Sequence, residues 1–155
     1  IRFKESDVRS VGRTAIGVRG IRLADKDKVV SLIVAESDDP ILTATEKGYG
    51  KRTQLDEYRA QARGGSGVIS IKTSDRNGQV VGAIQVTDED EMMLISDKGT
   101  LVRARAADVS IIGRNTQGVT LINIADDEAL VSVAKIAETD DDEEGADEIE
   151  VTSEE

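Results

Sequence analysis

Histidine, cysteine and tryptophan are absent from this 155-residue chain. Without imidazole there is no Ser-His-Asp triad and no histidine metal ligand. Without a thiol there is no cysteine nucleophile, no disulfide framework and no zinc finger. The lack of cysteine fits a cytosolic compartment. Aromatic rings are limited to Phe3, Tyr49 and Tyr58, so the core must be aliphatic and few rings are left to stack on unpaired bases. No apolar run approaches the roughly 20 residues of a membrane span, and no signal-peptide pattern is present. There is one proline, Pro40, against 14 glycines, and no helical periodicity persists for a dozen residues, which points to an all-β chain. The first residue is Ile rather than Met, and a fragment of a longer protein is expected.

What is abundant is charge. The formal net charge is −11, from 31 acidic and 20 basic residues. Eleven of the acids, and none of the bases, lie in residues 138–155. Residues 1–137 are therefore neutral overall and long enough to bury a core. The acidic tail has too little apolar content to fold and is expected to be disordered. It serves either as a solubilising end or as a tethered polyanion competing for a basic surface.

Residues 1–137 contain a threefold repeat. Arg-x-x-x-Gly-Val occurs at Arg13–Val18, Arg63–Val68 and Arg114–Val119, with offsets of 50 and 51 residues. Asp7-Val8, Glu57-Tyr58 and Asp108-Val109 keep the register, as do Arg2, Arg52 and Arg103. Glu46-Lys47-Gly48 matches Asp97-Lys98-Gly99. The repeats run over about 1–50, 51–101 and 102–137. Val29–Ala35, Val80–Val86 and Leu130–Ile136 read as buried strands. Val68–Ile71 and Val119–Ile124 read as further strands. Ile41–Thr45 and Met92–Ile95 lead into hairpins closed by glycine, and Asn77-Gly78 is a strong two-residue hairpin signal. About four strands per 50-residue unit suggest propeller-like blades.

Charge follows the repeat phase. Residues 1–22, 47–72 and 98–119 carry +4, +4 and +3, and the segments between carry −4, −5 and −2. In a radial array the basic phases would line one rim, with the acidic hairpins Asp38-Asp39, Asp88–Glu91 and Asp126–Glu128 pointing elsewhere. Such a rim suits a phosphate backbone, and duplex rather than single-stranded nucleic acid. The candidate phosphate contacts are Arg2, Arg52 and Arg103 at one phase and Arg13, Arg63 and Arg114 at another. Lys47 and Lys98 join them from the hairpins, with Lys4, Lys51 and Arg105 from the same basic segments. The motif arginines equally suit bonding to loop carbonyls, and the segregation of charge equally suits a solvated face. An exposed apolar patch would instead mark a protein-docking scaffold. Asp88–Glu91 offers oxygen ligands to a divalent cation or is a solvated hairpin tip.

Thr43–Thr53, Gly67–Lys72 and Gly113–Val119, extended by Val18–Leu23 and Gly99–Arg103, resemble the C-terminal domain of the bacterial DNA gyrase A protein. The resemblance implies a six-bladed β-pinwheel, a propeller-like disc whose neighbouring blades exchange strands, with about three four-stranded blades here. It implies a non-catalytic module that wraps duplex DNA around a basic rim, so that a holoenzyme of two A and two B subunits introduces negative supercoils. ATP and Mg2+ belong to that holoenzyme, with no cofactor in this chain, and the setting is the bacterial cytoplasm and nucleoid. Gln61–Gly67 echoes the heptapeptide of the family, Gln-Arg-Arg-Gly-Gly-Lys-Gly, with two basic residues lost; it is either a tight turn or a loop presenting N–H groups to phosphate. The related domain of the topoisomerase IV A protein is the closest alternative.

Overall fold

A computed structural model describes residues 1–136. Seven strands occur among them: β1 (Ile41–Thr45), β2 (Tyr49–Thr53), β3 (Val80–Gln85), β4 (Glu91–Ser96), β5 (Leu101–Arg105), β6 (Val119–Thr120) and β7 (Leu130–Lys135). They form two antiparallel sheets, ordered β3-β1-β2-β6 and β5-β4-β7. Three short 3-10 turns, Glu5–Asp7, Leu55–Glu57 and Ala106–Asp108, mark the same phase of each repeat.

The hairpins form where glycine permits them. Gly48 has φ 76° and its N–H closes onto Thr45 O at 3.0 Å, turning β1 into β2. Gly99, with φ 88°, does the same between β4 and β5. Along β4 the side chains alternate, and Met92, Leu94 and Ser96 are buried. Met92 and Leu94 join Leu42, Ala44, Val86, Leu130 and Val133 in one aliphatic core. The sheets meet where β3 lies against β7. A Cβ on Gly82 would stand 3.0 Å from Val133 Cγ1, so the absent side chain lets the faces approach.

β6 follows β5 in the chain yet pairs with β2 of the other sheet, Tyr49 opposite Thr120 and Gly50 opposite Val119. This crossing-back is the strand exchange that ties one unit to the next. The contact is close, because a Cβ on Gly118 (φ 84°) would lie 2.5 Å from Gly50 O.

Several expected strands do not form. Val29–Ala35 forms no ladder, since its backbone makes no inter-strand hydrogen bond with the described residues. It touches β3 through Ser31 Oγ, which accepts Ala83 N–H at 2.9 Å, and Leu32 is 87% exposed. Its counterparts β3 and β7 have β1 and β4 as partners. Val68–Ile71 likewise has no ladder. The strand at Val119–Ile124 stops after two residues, since the N–H groups of Leu121 and Ile122 both turn onto Gly48 O. Asn77-Gly78 makes a turn rather than a hairpin. Asn77 is buried, accepts Ser74 N–H at 2.8 Å and donates to Lys72 O and Gln117 O, so the preceding segment is held away from β3. The described residues thus hold two sheets, of four and three strands, where three four-stranded blades were expected. The acidic tail from residue 138 lies outside the described residues.

Candidate nucleic-acid interface

Two of the three repeated arginines of β2 phase, Arg52 and Arg2, face the next unit; the third, Arg103, lies exposed on β5. Arg52 is 4% exposed; its Nε donates to Val109 O at 2.8 Å and its Nη2 to Ala107 O at 3.5 Å. Its Nη1 pairs with Asp88. The same contact recurs one unit earlier, where Arg2 Nη1 donates to Leu55 O at 3.0 Å and Tyr58 O at 3.4 Å. Parallel bridges Arg2–Ala60 and Arg52–Ile111 accompany them. Each guanidinium therefore grips the 3-10 turn of the following unit, and these planar donors satisfy carbonyls that a loop leaves without partners.

The motif arginines do the complementary job. Arg63 donates to Arg19 O at 2.7 Å and Asp7 O at 3.1 Å, and Arg114 to Ile69 O at 2.8 Å. Glu57 accepts the backbone N–H of Arg114 at 3.0 Å. For Arg63 and Arg114, though not for Arg13, bonding to loop carbonyls is the use the geometry displays. Lys51 is completely buried, its ammonium donating to Gly113 O and Arg114 O at 2.6 Å and to Thr116 Oγ1 at 3.1 Å. Burial pushes its pKa down to about 8, with Glu57 pulling it up and Arg114 pressing it down further.

These contacts revise the expected rim. Arg2, Lys51, Arg52, Arg63 and Arg114 are joints between units, occupied by carbonyl oxygens. Nor do all the acidic hairpins point elsewhere: Lys98 pairs with Asp127 at 3.0 Å and Arg103 with Glu91, while within the third basic segment Arg105 pairs with Asp108 at 3.2 Å. Lys47 Nζ donates to Asp75 O. Only Lys4 and Arg13 of the expected set are exposed without a partner among the described residues.

Other cations are left unengaged. Arg9, Arg19, Arg22, Arg59 and Lys72 are exposed, and none of their side chains bonds to a described residue. Arg9 matches Arg59, and Arg22 matches Lys72, at the 50-residue offset. All lie in the basic phases, so segment charge carries the signal, whereas the search for one arginine in every repeat passes over them. Arg59 follows Tyr58, whose hydroxyl bonds to Ser70 Oγ at 2.8 Å, two residues before Lys72. The two cations therefore flank one contact.

Elsewhere the candidate features are engaged internally. Gly64 N–H donates to Gly20 O at 2.7 Å and Gly65 O accepts Arg22 N–H at 2.8 Å, so this part of the glycine run is docked on the preceding unit. Tyr49 lies under Arg76, 5.0 Å from guanidinium carbon to ring centroid, and a hydrogen bond from Arg76 holds its hydroxyl pKa below the ordinary value. In the Asp88–Glu91 hairpin, Asp88 pairs with Arg52, Asp90 with Lys135 and Glu91 with Arg103. No three carboxylates among the described residues are grouped to hold a metal ion. No described helix is long and apolar enough to cross a membrane.

The profile of a family described as DNA gyrase C-terminal domain, beta-propeller, matches residues 1–36, 39–87 and 90–137. The chain belongs to the DNA gyrase C-terminal domain family. The DNA gyrase A protein of Klebsiella oxytoca is 61% identical over 144 residues, covering 93% of this chain and 16% of the relative. That of Escherichia coli K12 is 58% identical over 143 residues, covering 92% of this chain and again 16% of the relative. The chain thus spans a small part of the gyrase proteins it matches. A solved DNA gyrase A C-terminal domain superposes with a TM-score of 0.81 at 33% identity, over 87% of this chain and 46% of that one. The C-terminal domain of a DNA topoisomerase IV gives 0.79 at 27% identity, over 86% and 42%. Both solved domains thus share the fold described above over most of this chain.

Proposed function

We propose that this chain is part of the DNA-wrapping module of a gyrase A protein. The observation that carries the reading is the register of its free cations. Arg9 with Arg59, and Arg22 with Lys72, stand at equivalent places in successive units of a gyrase-family fold. Cations repeated at a fixed step along a rigid surface meet phosphates without reading bases, which gives sequence-independent binding. If the units present these contacts on a curved surface, as the disc of the family would, the duplex bends between them. The bending costs on the order of 1–6 kcal/mol for 20–30 bp and is offset by the added contacts. The joints at Arg52, Arg2, Arg63 and Arg114 keep the units in register, so that the protein bends the DNA and is not itself bent.

In the parent enzyme this module presents a wrapped segment to the strand-passage machinery, and the ATP-driven A2B2 assembly in the bacterial nucleoid converts the wrap into negative supercoils. The chemistry lies outside this chain. The gyrase assignment is favoured over topoisomerase IV by the gyrase A relatives at 58–61% identity. The test is energy transfer between dyes on the two ends of a duplex of about 30 bp. Binding of the chain should bring the ends closer at low salt. Salt-sensitive binding with unchanged end-to-end distance would exclude wrapping.

A further inference from the structure

The units can be compared place by place, because the same backbone contacts recur in them. Arg22 N–H donates to Gly65 O, and Lys72 N–H to Thr116 O, both at 2.8 Å. Arg22, Lys72 and Asn123 accordingly hold one place, at steps of 50 and 51 residues. Arg9, Arg59 and Ser110 hold another, each two residues past the end of a 3-10 turn. All six are exposed. The first two units put a cation at both places, whereas the third puts a hydroxyl and a carboxamide.

The cations of the third basic segment, residues 98–119, are all engaged. Lys98 is paired with Asp127, Arg103 with Glu91 and Arg105 with Asp108, while Arg114 is held on Ile69 O. Two of these carboxylates are particular to this unit. At the 51-residue offset the places of Glu91 and Asp127 are held by Pro40 and Arg76. Loss of the free cations and gain of neutralising carboxylates coincide on the same unit, and each lowers its pull on a polyanion.

We infer that bound duplex leaves the protein surface between the second and third units, the third serving as a structural end that carries no phosphate contact. This rests on the duplex-binding reading above and adds where along the chain that surface stops. The test compares the slope of log affinity against log salt for the full 155-residue chain and three variants, each checked for an unchanged circular dichroism spectrum and urea midpoint. Arg59→Gln with Lys72→Gln removes two contacts and should flatten the slope by about 1.8, which is about tenfold in affinity change between 50 and 200 mM salt. Lys98→Gln with Arg103→Gln and Arg105→Gln should leave the slope where it was. Ser110→Arg with Asn123→Lys, which installs in the third unit the cations of the second, should steepen it. The inference is overturned if the triple variant flattens the slope as much as the double one. A parent chain with no salt-dependent duplex binding overturns the duplex-binding reading itself, a result distinct from the first.

Discussion

Lys51 and Arg52 are adjacent in β2, and both bury their charge in carbonyls of the next unit. For Lys51 the consequence is a pH dependence. Its folded pKa of about 8 lies below the ordinary 10.5. Between these values the unfolded chain holds a proton that the folded chain has released, so the contribution of Lys51 to stability rises with pH through that window. The urea midpoint of the parent should therefore climb relative to that of Lys51→Met as pH rises from about 8 to about 10; parallel curves would contradict the shift. Arg52 is a different case, always charged and paired with Asp88. Arg52→Met leaves Val109 O without its donor and is expected to cost about 2–4 kcal/mol of folding stability. It should leave the salt dependence of DNA binding unchanged, since its guanidinium does not face solvent. A flattened slope in a fully folded Arg52→Met chain would put this residue back among the phosphate contacts.

At the scale of elements, the exchange of β6 onto β2 depends on glycine. Gly118→Ala meets Gly50 O and must also hold a positive φ, and about 2–4 kcal/mol of destabilisation is expected. Gly99 also has positive φ but nothing within 4 Å of its would-be Cβ, so Gly99→Ala should cost about 1 kcal/mol. Equal losses by chemical denaturation would mean that the β2–β6 contact is looser than described. Asp90 fastens the start of β4 to the end of β7, accepting Thr87 N–H and pairing with Lys135, both at 2.7 Å. Burial raises its pKa, but the Lys135 hydrogen bond and the Thr87 amide outweigh it, and the carboxyl lies below its ordinary 3.8. This stabilisation is present above pH 3.8 and lost as pH falls through the folded value; Asp90→Asn should therefore reduce the acid dependence of unfolding. β1, β3, β4 and β7 are legible as apolar runs, and each finds an antiparallel partner among the described residues, β1 with β3 and β4 with β7. Val29–Ala35 carries the same pattern and forms no strand, since a strand needs a partner and its composition does not supply one. Repetition identified the joints at Arg52 and Arg63 but could not show which way each copy faces: Arg52 is buried while its counterpart Arg103 is exposed, and Arg63 holds loop carbonyls while its counterpart Arg13 is free among the described residues. The exposed pairs Arg9–Arg59 and Arg22–Lys72 stop after two units, and a search for threefold repetition misses them.

Taken whole, a chain of net charge −11 is proposed to bind a polyanion, which it can do only if its cations are gathered and its acids are placed apart or paired. Acids of the two later hairpins are paired with cations, Asp88 with Arg52, Asp90 with Lys135, Glu91 with Arg103 and Asp127 with Lys98, whereas Asp38-Asp39 has no cation partner among the described residues and Arg9, Arg22, Arg59 and Lys72 have no acidic one. The overall charge therefore says little about the field at this surface, and local register decides it. The most direct measurement is the affinity of the 155-residue chain for two duplexes of unrelated sequence across a range of salt. Arg59 and Lys72 alone would give log affinity against log salt a slope of about −1.8; with Arg9 and Arg22 added the slope should be steeper, and the two duplexes should give the same line. A folded chain whose duplex affinity is undetectable at low salt, or insensitive to salt, would contradict the account.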